Sequence, residues 1–497
     1  MVESTPKPYQ DAMNEADDDY DGLREECGVF GVFGAANASA LVALGLHALQ
    51  HRGQEGCGIA SLHDGLFTTE RHRGLVSEHF ATPDLTRRLP GDRAMGHVRY
   101  STAGGSIARN LQPFYADLDG GGFAIAHNGN LTNAHTLRDN LVAQGSIFVS
   151  KSDTEVIPHL VARSRGGNII ERFLDALSQI EGGYALVALT HKKLIGARDP
   201  IGIRPLVLGR IDDAYVLASE TCAFDRVGAS FVRDVEPGEV VIITEQGLRS
   251  IRTAPERTPR TCSFEYIYFA RPDSVIDGVS VYSARKAMGR ILARENRIDA
   301  DVVAPVPDSG MAAAIGFSQE SGLDFELGLI RSHFTGRTFI QPSQEIRDMA
   351  VRMKHQGNAA ALAGKRVVLI DDSIVRGTTS RKIIRMVREA GATEVHFLSA
   401  SPPIRHPDFY GIDMPDQDKL FAARFDSIEA MARDLDVDSL GFISLDGLYQ
   451  AITGEPRDND APRLTDHYFT GHYPTPLVDE ARKKDGVERQ LSFLDAE

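Results

Sequence analysis

Residues 365–391 read KRVVLIDDSIVRGTTSRKIIRMVREAG. Val367, Val368, Leu369 and Ile370 form an unbroken apolar run, the pattern of a strand covered on both faces. Asp371 and Asp372 stand at its carboxyl end, where open α/β sheets take their ligands. Ser373, Arg376, Gly377, Thr378, Thr379 and Ser380 then lead into a helix whose apolar residues Ile383, Ile384 and Val387 keep helical spacing. Hydroxyls and free N–H groups at a helix start form an anion site. Two adjacent carboxylates suit a vicinal diol or a Mg²⁺ ion, which takes oxygen ligands. Together these residues describe a pocket for a phosphorylated sugar. The same text also suits an ordinary βα turn with Thr379 or Ser380 as N-cap.

Outward from this stretch the rhythm stays βα. DVVAPVP precedes it and EVHFLSASPP follows, with amphipathic helices between, which implies a parallel sheet. Upstream the text changes. CGVFGVFG, GFAIAHNG, YALVALTH, KLIGARD, YVLASE and EVVIITEQ read as strands separated by Gly-, Asp- and Pro-bearing turns, with SALVALGLHALQ as a helix. Residues 245–261 carry Pro, Thr and Arg without apolar periodicity and mark a boundary. The expected divisions are 1–26, 27–260, 261–455 and a polar, Pro-rich tail over 456–497 packed on the surface.

The chain has 497 residues, with 54 Lys and Arg against 69 Asp and Glu. A net charge of −15 argues against a general nucleic-acid binder, which needs clustered bases for phosphate. No apolar run reaches the ~18 residues of a spanning helix. Four cysteines without a CxxC pair fit a reducing cytoplasm and exclude a disulfide scaffold. Residues 1–26 hold nine acids against two bases and few apolar side chains, the composition of a disordered leader.

Three further motifs carry chemistry. The loop VAPVPDSG, residues 303–310, follows an apolar strand, and GRTFIQPSQEIRDMAVRMKHQG brings the bases Arg337, Arg347, Arg352 and Lys354 between it and the paired acids. In the first half, REECGVFGVFG is followed in order by LQHRGQEGCGIA, GHVRYSTAG, AHNGN and KSDTE.

The strand, paired Asp and hydroxyl-rich loop resemble the signature of type I phosphoribosyltransferases, which bind phosphoribosyl pyrophosphate (PRPP). The resemblance implies that Asp371, Asp372, Ser373, Arg376, Gly377, Thr378 and Thr379 bind PRPP, with Lys354 and Arg337 on a loop closing over it. It also implies one Mg²⁺ per subunit near Ser309, Asp371 and Asp372. The first-half motifs resemble the glutaminase domain of N-terminal-nucleophile amidotransferases, an αββα fold. There Cys27 would be the nucleophile and its own α-amine the base. Arg99 would hold the glutamine carboxylate, Asp153 its ammonium, and Asn128 with Gly129 the oxyanion. His51, Arg52 and Gly53 are assigned to scaffolding. Removal of Met1 cannot free the Cys27 amine, so a propeptide cut between Glu26 and Cys27 is expected.

A glutaminase joined to a PRPP site resembles the amidophosphoribosyltransferase family, over nearly all of residues 24–475. This implies a two-domain α/β enzyme that hydrolyses glutamine and channels ammonia to PRPP. The products are 5-phosphoribosylamine and pyrophosphate, in the first committed step of purine synthesis. Feedback by purine nucleotides, a homotetramer and a cytoplasmic location are implied as well, with no nucleic-acid or membrane partner. A sugar-phosphate aminotransferase shares the first domain but lacks LIDDSIVRGTTS, and a PRPP-sensing regulator would not need Cys27, Arg99 and Asn128. Many propeptide-bearing relatives hold a [4Fe–4S] cluster on four cysteines. Here only Cys262 stands at a matching position, with Asp408, Thr465 and Tyr468 at the others. No iron–sulfur cluster is expected, and Cys57, Cys222 and Cys262 read as buried thiols.

Overall fold

The computed structural model describes residues 27–100, 108–253, 258–332 and 355–484. The expected leader 1–26 and its cleavage point, and Arg337 and Lys354, lie outside the described residues.

Alternating and fully apolar strands in the first half build two antiparallel sheets. One has seven strands, in the order Ser230–Asp234, Val207–Ile211, Ala214–Ala218, Gly28–Phe33, Arg93–Arg99, Gly56–His63 and Leu66–Arg73. The other has six, in the order Gly247–Arg252, Glu239–Thr244, Leu194–Arg198, Gly182–Thr190, Gly121–Leu131 and Phe114–Leu118. Their inner faces meet through Val29, Ala60, Met95, Ala126, Val187 and Leu194, all buried. Helix Ala38–Ala48 covers the outer face of the first sheet, packing Val42 and Leu46 on Phe30 and Ile59. Helices Ala134–Ala143, Val156–Arg163 and Ile169–Leu177 cover the second. The result is a four-layer αββα sandwich. The boundary segment differs from its sequence reading, because Gly247–Arg252 pairs with Glu239–Thr244 as an edge strand. Only Leu248 and Ile251 face apolar neighbours there, so the strand carries no alternating pattern to read.

The second half holds a five-stranded parallel sheet, ordered Asp324–Phe325, Val302–Pro305, Arg366–Asp371, Glu394–Ser399 and Ser439–Phe442. In chain order this is 2-1-3-4-5, so the direction of winding reverses between Val302–Pro305 and Arg366–Asp371. Ligands of open α/β sheets bind at that crevice, beyond the carboxyl ends. Helices Val281–Glu295 and Met311–Ser321 cover one face and Thr378–Glu389 with Ile428–Leu435 the other.

The C-terminal segment is not a surface tail throughout. Leu464–Thr465 pairs in parallel with Thr261–Cys262, and Leu464, His467 and Tyr468 are buried. Farther on, Asp479 caps helix Ala134–Ala143 of the first half. Its carboxylate accepts from the N–H groups of His135 at 2.8 Å and Thr136 at 3.0 Å. These N–H groups have no partner within their own helix, so a carboxylate from far along the chain satisfies them. Thr132 Oγ1 also donates to the Pro476 carbonyl. Among the described residues no helix is long and apolar enough to cross a membrane.

Candidate functional site

Cys27 immediately precedes the central strand Gly28–Phe33, and it is buried with its Sγ 3.5 Å from the Tyr100 carbonyl oxygen. Burial pushes the Cys27 thiol up; Arg99 pulls it back, and Asp153 and Glu55 push it further. Cys27, Arg99 and Asp153 therefore share one electrostatic neighbourhood. Arg99 ends strand Arg93–Arg99 and donates from Nη1 to the Asn110 carbonyl at 2.6 Å. Asn110 Oδ1 in turn accepts from the Lys151 N–H, which fixes the segment carrying Asp153. Asp153 accepts from the Leu131 N–H at 3.1 Å, just beyond Asn128 and Gly129 on strand Gly121–Leu131.

Asn128 is fully buried, and neither its side-chain oxygen nor its nitrogen has a hydrogen-bond partner. A buried amide is rarely left so, and the pair of groups fits a site that a substrate oxygen completes. Gly129 has φ +133°, and a Cβ there would lie 2.1 Å from the Gly183 carbonyl oxygen. Only glycine lets this strand run so close to its neighbour while turned into the right-hand half of φ space.

Arg52, assigned to scaffolding, touches the backbone of Cys27 itself. Its Nε donates to the Cys27 carbonyl, and its guanidinium grips Glu265 at 2.9 and 2.6 Å and Glu220 at 2.5 Å. All three side chains are wholly buried. Burial alone would raise the Glu220 carboxyl, but His51 and Arg52 hold it well below the usual carboxylate range. Gly53 matters through a close approach, since a Cβ there would lie 2.5 Å from the Arg99 carbonyl carbon. The sequence signal for Arg52 is a base standing just after the apolar run SALVALGLHALQ, within the motif LQHRGQEGCGIA.

In the second half the acids sit where the sheet reversal predicts. Asp371 Oδ1 accepts from the Asp372 N–H at 2.9 Å, and Ser373 Oγ donates to Asp372 Oδ1 at 2.6 Å. Burial pushes the Asp372 carboxyl up, against hydrogen bonds with Ser309, Ser373 and Asp371 and the Arg285 charge. Ser309, from the loop after Val302–Pro305, is thus brought to the paired acids. The two loops are joined by the Val306 N–H donating to the Ile370 carbonyl. Helix Thr378–Glu389 has Gly377 at its N-cap position, so Thr379 and Ser380 lie in its first turn rather than capping it. Arg376 precedes that turn, and the Thr378 hydroxyl is buried without a hydrogen-bond partner.

Arg285 was missed by the sequence reading. From helix Val281–Glu295 it donates to the carbonyls of Tyr266, Tyr268 and Ala270, and its charge acts on Asp372. A run of hydrogen bonds therefore joins the Cys27 carbonyl to Arg285, through Arg52, Glu265 and segment Glu265–Phe269, and the Arg285 charge acts on Asp372.

The residues fit Mg²⁺ modestly. Among the described residues no group of three or more His, Cys, Asp or Glu could hold a metal ion. Mg²⁺ commonly takes one or two carboxylates and completes its shell with water and substrate phosphate, which the Asp371–Asp372 pair allows. An iron–sulfur cluster does not fit. Cys262, Asp408, Thr465 and Tyr468 do converge, but they offer one thiol and already bond to one another or to neighbours. Cys262 Sγ and Thr465 Oγ1 each lie 3.2 Å from Tyr468 Oη, and Asp408 Oδ1 lies 2.8 Å from His467 Nε2. Cys57, Cys222 and Cys262 are buried free thiols.

Residues 97–226 match the family model described as a glutamine amidotransferase domain. The chain is 57% identical to the amidophosphoribosyltransferase of Rhizobium etli, over 96% of this chain and 97% of that one. It is 48% identical to the Bacillus subtilis amidophosphoribosyltransferase, over 92% and 96%. Among solved structures, the B. subtilis glutamine PRPP amidotransferase complexed with ADP and GMP superposes with a TM-score of 0.86. It has 48% identity and covers 91% of this chain and 98% of that one.

Proposed function

The chain belongs to the amidophosphoribosyltransferase family, and from that premise we propose how its two halves divide the reaction. The enzyme is a glutamine-dependent pentosyltransferase that makes 5-phosphoribosylamine at the first step of purine synthesis. Residues 1–26 act as a leader, 27–260 as the glutaminase, 261–455 as the transferase and 456–497 as a C-terminal segment that packs back on both halves.

In the glutaminase half, Arg99 pairs with the α-carboxylate of glutamine and Asp153 with its α-ammonium. Leader removal exposes the Cys27 α-amine, which takes the thiol proton as Sγ adds to the amide carbon. The side-chain N–H of Asn128 and the backbone N–H of Gly129 hold the oxygen that becomes negative. Collapse of this intermediate expels ammonia and leaves a thioester on Cys27, which water hydrolyses to glutamate. The buried, hydrogen-bond-free Asn128 amide supports this assignment.

In the transferase half, Asp371 and Asp372 accept from the ribose hydroxyls. Ser373, Arg376, Gly377, Thr378 and Thr379 cradle the 5-phosphate at the helix start. Arg337 and Lys354 stabilise the departing pyrophosphate. Ammonia, kept from water and so unprotonated, attacks C1 of the ribose as pyrophosphate leaves. Asp371, Asp372 and Ser309 would hold Mg²⁺, which supplies charge neutralisation on pyrophosphate when bound. The relative solved with ADP and GMP supports feedback by purine nucleotides here too. A homotetramer in the cytoplasm completes the proposal.

The observation that carries this reading is that Cys27, Arg99 and Asp153 converge in one half while Ser309, Asp371 and Asp372 converge in the other. Its test is PRPP consumption by the purified chain with glutamine or with ammonia as nitrogen donor. Turnover with both is expected for the processed chain. Turnover with neither, in a chain beginning at Cys27, overturns it.

A further inference from the structure

The turn after Glu394–Ser399 crosses from the transferase half to the strand that carries Asn128 and Gly129. Asn130 Nδ2 donates to the Phe409 carbonyl at 2.9 Å. Two residues on, a Cβ at Gly411 would lie 3.0 Å from both Cα and C of Gly129, and Gly411 has φ +124°. The turn therefore rests directly on the backbone whose N–H the glutaminase reading uses, with glycine on each side of the contact.

What holds the turn is a buried carboxylate. Asp408 Oδ2 accepts from the N–H groups of Tyr410 at 2.8 Å and Ile412 at 2.7 Å. Its Oδ1 takes the 2.8 Å bond with His467 Nε2, and Arg204 Nη2 lies 3.9 Å from Oδ2. Arg204 also donates from Nε and Nη2 to the Tyr410 carbonyl, at 3.0 and 2.7 Å. The side chains of Arg204, Asp408 and His467 are wholly buried. Cys262, Thr465 and Tyr468 close the same nest from the linker and the C-terminal segment. None of these groups reaches the nucleophile, and the mechanism proposed above uses none of them.

We propose that Asp408 and His467 are positioning residues for the oxyanion hole: they hold turn 408–412 against Asn130 and Gly129, so that the second half sets the geometry of the first half's reaction. The inference rests on the glutaminase reading of Asn128 and Gly129. It also gives a purpose to the position where a cluster ligand would otherwise stand. A hydrogen-bonded carboxylate and imidazole tie the turn to the linker and the C-terminal segment. Such a tie needs no metal.

The test uses the full processed chain and two assays, glutamine hydrolysis and ammonia-dependent PRPP consumption. Wild type is measured first; failure to hydrolyse glutamine there would strike the proposed function, before any variant is made. Asp408→Asn keeps the volume and removes the charge, and Asn130→Ala removes the contact at a partly exposed site. Both are expected to lower kcat for glutamine hydrolysis about tenfold or more, because a displaced oxyanion donor stabilises the transition state less. KM for glutamine stays within about twofold, since Arg99 and Asp153 are untouched, and ammonia-dependent turnover is retained. Should Asp408→Asn fail to fold, Asn130→Ala alone decides. Equal losses in both assays, or unchanged glutamine kinetics in the folded variants, overturn the proposal.

Discussion

The Nε of Arg52 donates to the carbonyl oxygen of Cys27 across 3.2 Å. The same guanidinium is clamped by Glu265, which lies beyond the sandwich in the second half. In the proposed mechanism Cys27 must present both a thiol and a free amine, and this bond anchors it by its carbonyl, which that mechanism leaves unused. Replacing Arg52 with Lys keeps the charge but loses the planar fork. Glutamine-dependent turnover of Arg52→Lys is expected to fall at least about tenfold, with ammonia-dependent turnover largely kept. Arg52→Ala leaves buried Glu220 with His51 as its basic partner and Glu265 with Arg204, 3.8 Å away, at a cost of up to about 3–5 kcal/mol, and should show as a lowered melting temperature.

Burial raises the Cys27 thiol, so at neutral pH it is protonated and a base must take its proton. An α-amine titrates near about 7.7–8.0 and acts in its neutral form, so glutamine-dependent kcat/KM should rise with pH and level off above that range. A chain whose intact mass retains the leader should hydrolyse no glutamine at any pH. Activity in such a chain would remove the amine from the mechanism.

Asp372 is raised by burial, so it takes up a proton at a higher pH than an ordinary aspartate does. The protonated form binds a cation and accepts from a diol less well. PRPP affinity should therefore weaken on acidification, at a pH above that of a solvated carboxylate. Calorimetric titration of Asp372→Asn with PRPP should give affinity at least about tenfold weaker and a flatter pH dependence.

Gly53 admits no side chain without moving Arg99, the expected carboxylate holder. Gly53→Ala should raise KM for glutamine by about tenfold and change kcat less, because the shifted group binds substrate rather than the reacting atoms. Unchanged kinetics in a folded Gly53→Ala would show that the backbone absorbs the clash without moving the guanidinium.

His97 sits between the two sheets, with Nε2 on the His127 carbonyl at 3.1 Å, and burial followed by the Arg99 charge lowers it to about 3. The native state keeps this ring neutral. The unfolded chain protonates it below about 6.5, so stability is present above that value and is lost as pH falls toward about 3. Over that window this one group should cost about 1.4 kcal/mol per pH unit. Denaturant melts of His97→Gln should show a correspondingly shallower acid limb.

The text of Val367–Thr379 carried its strand, its acids and its loop openly, because local apolar runs and turn residues write themselves in consecutive letters. The strand order 2-1-3-4-5 did not, since it depends on which neighbour each strand finds. Arg52 and Glu265 are separated by 213 positions, and no periodicity links them. Gly247–Arg252 was hidden because its two apolar residues, Leu248 and Ile251, fall on opposite faces of an edge strand and give no alternation. Residues 464–468 were hidden for the opposite reason: polar and Pro-rich flanks masked a short segment that ends up buried. Thr379 and Ser380 were plausible caps by type, but Gly377 occupies the cap position.

The capping of helix Ala134–Ala143 by Asp479 has a consequence in time. Ribosomes build the chain from its amino end, and domains form as they emerge. Cys27, Arg99 and Asp153 are all synthesised before the carboxylate that completes their neighbouring helix exists. The start of helix Ala134–Ala143 thus keeps two N–H groups without their carboxylate until almost the whole chain has been made.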